Sequence, residues 1–207
     1  MASYNGFLQQ AHGIKLKMTK KLKIMRKIIV EAEVSMDGVV SSPEIWPEIF
    51  KYHTDDVQDY LNNLLYSSGA LLSGRLTYEV FATVWPTRTG KEADYINNMP
   101  KYVASRTLKE PLSWNSTLIQ GDVVEELRKL KRMDGKDLVQ YGVGELTHTM
   151  LNQGLVDRLQ LLVFPFTFGK DGRWFDSMHM KHFKLIECKT FKSGAILLQY
   201  EPVVSNL

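Results

Sequence analysis

From Ile28 to Val34 the chain alternates, with Ile28, Val30, Ala32 and Val34 on one side of the backbone and Ile29, Glu31 and Glu33 on the other. A two-residue period predicts a β-strand, and Ser35-Met36-Asp37-Gly38 closes it with turn chemistry. The period then lengthens. Val57, Tyr60, Leu61, Leu64 and Leu65 recur at helical spacing, which predicts an amphipathic helix over about 54–66. Ala70–Ser73 reads as a short buried strand and Tyr78–Val84 as a short helix. Further strands are expected at Tyr102–Ser105, Thr117–Gln120 and Leu138–Tyr141. Helices are expected at Asp122–Lys131, where Asp122 can cap, and at Gly144–Asn152. A long strand, Arg158–Phe168, precedes a hairpin of Phe183–Thr190 and Ala195–Tyr200 around Lys192-Ser193-Gly194. Strands and helices alternate until this antiparallel finish. The predicted class is therefore α/β with a mostly parallel central sheet.

Composition narrows the picture. The 207 residues are 44% hydrophobic and 11% aromatic, which fits one folded domain and excludes a low-complexity chain. No run approaches the roughly 20 apolar residues of a spanning helix, so no membrane partner and a cytoplasmic location are expected. The single cysteine, Cys188, excludes an internal disulfide, and its mid-strand place reads as a small core hydrophobe. His179-x-x-His182 offers two ligands without a cysteine or acidic partner nearby, so no metal is expected.

Charge divides the chain. Residues 1–27 hold seven Lys and Arg and no acid, which leaves residues 28–207 with 19 basic and 23 acidic side chains, a net −4. Residues 1–24 are read as a solvated leader outside a single domain at 25–203. An arm for nucleic acid or a membrane surface competes with that reading. So does a targeting peptide, against which the missing apolar centre and the scarcity of Arg and Ser both argue.

Three expected strand ends carry candidate chemistry, because ligands of open α/β sheets sit beyond the carboxyl ends of the strands. Gly74-Arg75-Leu76-Thr77-Tyr78-Glu79 places a glycine, a guanidinium fork and a hydroxyl near a helix start. Ser105-Arg106-Thr107 sets two hydroxyls around an arginine, which suits a phosphate monoester. Gly142-Val143-Gly144-Glu145-Leu146 is a glycine turn between strand and helix, with Thr147 where the full dinucleotide fingerprint has its last glycine.

In their order and spacing these segments resemble the dihydrofolate reductase-like three-layer fold. The chain is most similar to the family of the C-terminal reductase domain of the bifunctional riboflavin-biosynthesis protein. The residues that carry this resemblance are Ser35-Met36-Asp37-Gly38, Gly74-Arg75-x-Thr77-Tyr78-Glu79 and Lys101-Tyr102-Val103-x-Ser105. Leu155-Val156-Asp157, Pro165 followed by Gly169, and Trp174-Phe175 add to it over about residues 26–201.

The resemblance implies an NADPH-dependent reductase. Gly74, Arg75 and Thr77 would face the pyrophosphate, as would backbone amides around Gly142, Val143, Gly144, Glu145 and Leu146. Ser105, Arg106 and Thr107 would hold the adenosine 2′-phosphate. It also implies a homodimer, with the C-terminal hairpin and the Leu161–Phe168 strand as its surfaces.

For the substrate, the resemblance implies a pyrimidine, pterin or flavin-like heterocycle with a reducible C=N or C=O group. Dihydrofolate reductases hold their ring with a carboxylate on the first helix; the matching place falls near Gln58, which leaves Asp59 as the neighbouring carboxylate. The riboflavin-pathway reductases often carry a lysine where this chain has Glu31, so Glu31 is expected to face an N–H-rich ring instead. Glu31 and Asp37 are the catalytic candidates, and Ser35, Trp46 and Asp59 join Glu31 as substrate contacts. Asp37 reads equally as turn chemistry, and Glu31 with Glu33 as a solvated sheet rim. Dihydrofolate reduction proper, or nucleotide binding without catalysis, are the alternatives.

Overall fold

In the computed structural model, which describes residues 25–40, 44–176 and 178–203, the alternating segment forms β1 (Ile28–Ser35) in the interior of an eight-stranded sheet. The leader lies outside the described residues. After β1 come the short helix α1 (Trp46–Ile49) and the 13-residue helix α2 (Asp55–Ser67). Then follow β2 (Ser68–Gly74), α3 (Arg75–Val84), α4 (Lys91–Asn98), β3 (Lys101–Ala104) and β4 (Ser116–Leu118). The chain continues through α5 (Val123–Arg132), β5 (Asp137–Tyr141), α6 (Glu145–Asn152) and β6 (Arg158–Phe164). It ends in the hairpin of β7 (Phe183–Thr190) and β8 (Ile196–Pro202).

The sheet order is β4-β3-β2-β5-β1-β6-β8-β7. Strands β1 to β6 pair in parallel, and β8 runs antiparallel to both β6 and β7. A parallel sheet needs helices on both faces. On one face Ile28, Val30, Ala32 and Val34 of β1 meet Leu127 and Leu130 of α5 and Leu146 and Met150 of α6. On the other, α2 lies over two separate apolar clusters. Leu64 and Leu65 pack with Ile29, Leu71 and Val139, whereas Val57 packs with Ile49, Leu162, Phe164 and Leu197. Both faces of β1 are thus covered, and Glu31, expected as a candidate rim residue, is only 2% exposed.

The hydrophobic periods place most elements within a few residues. Asp122 caps α5 by accepting from the amides of Val124 and Glu125. Four corrections follow from packing. Strand β6 stops at Phe164, because Pro165 has no N–H to continue the ladder, and Phe166 turns its amide back to the Phe164 carbonyl. That strand is paired on both edges, by β1 and β8. Cys188 is exposed rather than core, since β7 is the sheet edge and everything from Lys184 to Thr190 is exposed. Trp174 and Phe175, whose sequence reads as core and strand packing, lie in a loop, where the Trp174 amide donates to the Gly38 carbonyl. Helix α4 was not anticipated; its eight residues bury only Ala93 and Ile96.

At the amino end of the sheet, Asp157 accepts the Ile28 amide at 2.7 Å. The Lys131 ammonium donates to the same carboxylate and to the Leu155 carbonyl. This gives Leu155-Val156-Asp157 a structural job. So it is with Lys101, whose buried ammonium donates to the carbonyls of Asn97 and Met99 at the end of α4 and lies over the Trp114 ring. Among the described residues no helix is long and apolar enough to cross a membrane.

Candidate functional site

Parallel pairing brings the carboxyl ends of β1, β2, β3, β5 and β6 to one edge, and the three candidate segments arrive there together. Gly74 is the residue before α3, and a Cβ built on it meets nothing within 4 Å. The Arg75 guanidinium beside it pairs with Glu79 at 3.0 Å, one helical turn on. After β3, the Ser105 hydroxyl accepts from the amides of Thr107 and Leu108 at 3.1 and 3.0 Å, which fixes the loop that displays Arg106. The Arg106 guanidinium reaches the Glu145 carboxylate at 3.3 Å, and both side chains are 90% exposed. An ion pair that open to water contributes little to stability and yields readily to another anion.

The glycine turn after β5 is built from below. Gly142 takes φ +78°, which favours glycine. Its amide donates to the Glu31 carbonyl at 2.8 Å. Gln140, 4% exposed, donates to the Gly142 carbonyl and to the Thr147 hydroxyl, which in turn accepts the Gly144 amide. Thr147 therefore replaces the missing glycine with a strut. A Cβ on Gly144 meets nothing within 4 Å, so the start of α6 faces open space. The first-turn amides of Glu145 and Leu146 belong to the group that a helix leaves without an internal partner, and they favour an anion there. Two guanidinium groups, three hydroxyls, two glycines with room in front of them and a helix start fit a phosphate-rich dinucleotide.

The second feature lies beneath α2. Register aligns Tyr141, Glu31, Gln160, Gln199 and Glu187 across β5, β1, β6, β8 and β7, a polar row between the two apolar clusters. Tyr60 of α2 donates to Gln160 at 2.9 Å, and Gln199 donates to Glu187 at 2.8 Å. Glu31 is different, because its buried Oε1 has no hydrogen-bond partner. Burial pushes its carboxyl well above the usual range, and the charge of Glu33 adds to this. The phenols of Tyr60 and Tyr141 are pushed up too, by burial first and then by Glu31. Glu33, two residues along the same face, pairs with His53 at 2.7 Å. The His53 ring stacks on Phe164 and meets Phe50 edge-on.

The remaining candidates have clear places. Asp37 is a brace. It accepts from the Ser35 hydroxyl and from the amides of Phe168 and Gly169, which ties the loop after β6 to the loop after β1. These bonds hold its carboxyl down at about 2, ionised at neutral pH and without a proton to give. Ser35 is engaged in the same turn, accepting the Val39 amide. Trp46 starts α1 and packs with the cluster around Ile49 and Phe164. Asp59, like Gln58, faces solvent on the outer side of α2, away from the sheet. Its outward direction follows from the helical period that turns Tyr60 inward.

Sequence reasoning passed over Gln140, Thr147, Tyr60, Tyr141, Gln160 and His53. A signal existed for two of them, since Gln140 and Gln160 interrupt apolar strand runs.

Comparison with known proteins agrees with this architecture. The family model of the RibD C-terminal domain matches residues 26–197. YyaP of Bacillus subtilis (strain 168), an uncharacterised protein, is 28% identical over 190 residues, covering 88% of this chain and 98% of its own. Among solved structures, a Shewanella sp. PV-4 protein ascribed to riboflavin biosynthesis superposes with a TM-score of 0.67 at 19% identity, over 86% of this chain and 99% of that one. The Thermotoga maritima diaminohydroxyphosphoribosylaminopyrimidine deaminase/5-amino-6-(5-phosphoribosylamino)uracil reductase gives 0.61 at 15% identity, over 86% of this chain and 57% of that one.

Proposed function

The chain belongs to the RibD C-terminal domain family, and we propose that it is an NADPH-dependent reductase of a C=N or C=O group on a pyrimidine-, pterin- or flavin-like ring. The observation that carries this reading is the meeting of Gly74-Arg75, Ser105-Arg106-Thr107 and the Gly142–Leu146 turn at one sheet edge, against the strand that holds Glu31. The kinship with riboflavin-pathway reductases supports it.

In this reading Arg75, Thr77 and the amides at the start of α6 hold the pyrophosphate. Ser105, Arg106 and Thr107 hold the adenosine 2′-phosphate, with Arg106 released from Glu145. Bound there, the reduced nicotinamide supplies the hydride. Glu31 supplies the matching proton, because burial favours its protonated form and a donor must carry its proton at working pH. Its unpartnered Oε1 also favours a substrate that offers N–H groups. Asp37 does not touch the substrate; it positions the loops that border it.

The test is a titration of NADPH and NADH into wild type and Arg106→Ala. A charge-assisted contact of about 1.5–3 kcal/mol predicts a roughly ten- to hundred-fold loss for NADPH, with NADH nearly unchanged. Wild type that binds neither nucleotide overturns the reading. NADPH bound but never consumed across a panel of heterocycles reduces it to a nucleotide-binding module.

A further inference from the structure

Glu33 and His53 have no place in the reaction just described, yet they are built into the same face. Glu33 follows Glu31 by two residues, which sets their Cα atoms about 7 Å apart on one side of β1. Both partners of the Glu33–His53 pair are largely covered, with side chains 17% and 16% exposed. The imidazole is fixed between Phe50 and Phe164, so its contact with Glu33 does not depend on a flexible surface side chain.

We infer that the Glu33–His53 pair is a tuning device that sets how tightly Glu31 holds its proton. The inference rests on the proposed role of Glu31 as proton donor, but its physics concerns this chain alone. Unpaired, the Glu33 carboxylate is a like charge beside Glu31 and disfavours a second negative charge there. Charged His53 cancels much of that field, and Glu31 then gives up its proton more readily. The other groups around Glu31 are Tyr141 from β5, Tyr60 from α2, Gln160 and Arg158 from β6, and, beyond Tyr60, Glu187 from β7. The tyrosines stay protonated over the working range, so the Glu33–His53 pair is the adjustable neighbour. Both are positioning residues, since they act through Glu31.

The experiment is an infrared titration of the full chain without nucleotide or substrate, following the protonated-carboxyl band that Glu31→Gln abolishes. Glu33→Gln removes the like charge and lowers the midpoint by about 1–2 pH units. His53→Phe keeps an aromatic ring but leaves Glu33 uncompensated, and raises the midpoint. His53→Gln, which keeps a hydrogen-bond donor, raises it less. Opposite shifts from the two partners are what a purely structural pair does not produce. Shifts of one sign, or none, overturn the inference. If neither His53 variant folds, Glu33→Gln decides alone, because an unmoved or raised midpoint is fatal. Because no ligand is present, tuning can hold while NADPH binding fails, or the reverse, and the two failures are read separately.

Discussion

At the amino edge of the sheet, Lys131 and Asp157 are drawn into the protein and fully engaged: Asp157 takes the Ile28 amide and the Lys131 ammonium, and Lys131 also serves the Leu155 carbonyl. Beneath α2, Glu31 is buried more deeply and leaves an oxygen without a partner. Each region buries an ionisable group, Lys131 in one and Glu31 in the other, and only the first compensates it. A buried charge that finds its partners secures the fold, while a buried carboxyl left wanting a donor stores an interaction for something that is not part of the chain. The contrast is what sets Glu31 apart as the candidate site residue.

The sharpest way to break the comparison is to remove one partner of the clamp. Lys131→Met leaves the Asp157 carboxylate with the Ile28 amide alone. Asp157 is 34% exposed, so water recovers part of the loss, and the expected cost is about 2–3 kcal/mol in denaturant unfolding. A loss under about 1 kcal/mol would place the clamp with ordinary surface pairs.

The same operation beneath α2 carries the opposite sign. Glu31→Leu removes an uncompensated polar group and is expected to raise stability by about 1 kcal/mol at neutral pH. Its pH dependence sharpens the point. The folded-state pKa of Glu31 is raised, so the native state binds more protons than the unfolded chain, and wild type loses stability relative to Glu31→Leu as pH climbs from about 4.5. Asp37 runs the other way. Its pKa is held at about 2 against an ordinary 3.8, so its contribution is complete above 3.8 and drains away as pH falls toward 2. Both variants should therefore diverge from wild type as pH rises but with opposite signs, Asp37→Asn falling below it between about 2 and 3.8 and Glu31→Leu rising above it from about 4.5. Parallel curves would mean that Glu31 has found a partner in solution.

Much of the scaffold was legible because periodicity records burial. The alternation at Ile28–Val34, the helical stripe from Val57 to Leu65 and the Asp122 cap each report a local constraint. The three candidate segments were legible as strand ends that meet at one sheet edge, since glycine, arginine and hydroxyl residues cluster where strands end. The polar row was not. Tyr141, Glu31, Gln160 and Gln199 come from four strands, and nothing in one strand's sequence states its register with the next. Alternation even misleads here: in an edge strand Glu31 and Glu33 would face water, and only the strand order that puts β1 between β5 and β6 covers them. His53 shows the same gap. His53 lies in the turn before α2, and its contact with Glu33 arises from packing, whereas the outward direction of Asp59 is implicit in the helical period.

The Arg106–Glu145 pair tests the comparison at its weakest point, where a charge pair is neither buried nor orphaned. Both side chains are 90% exposed, so Glu145→Gln is expected to change stability by less than about 0.5 kcal/mol. Yet Glu145 is the first residue of α6 and sits at the edge proposed for the dinucleotide. Its carboxylate occupies the guanidinium that would hold the 2′-phosphate, and it adds a negative charge where two more must settle. Removing that charge frees Arg106, and NADPH affinity should rise by about two- to five-fold while NADH changes less. Isothermal titration beside the Arg106→Ala variant reads both effects. A fall in NADPH affinity would show that Glu145 orients Arg106 for the phosphate rather than competing with it, and the pair would then belong with the site as a positioning contact.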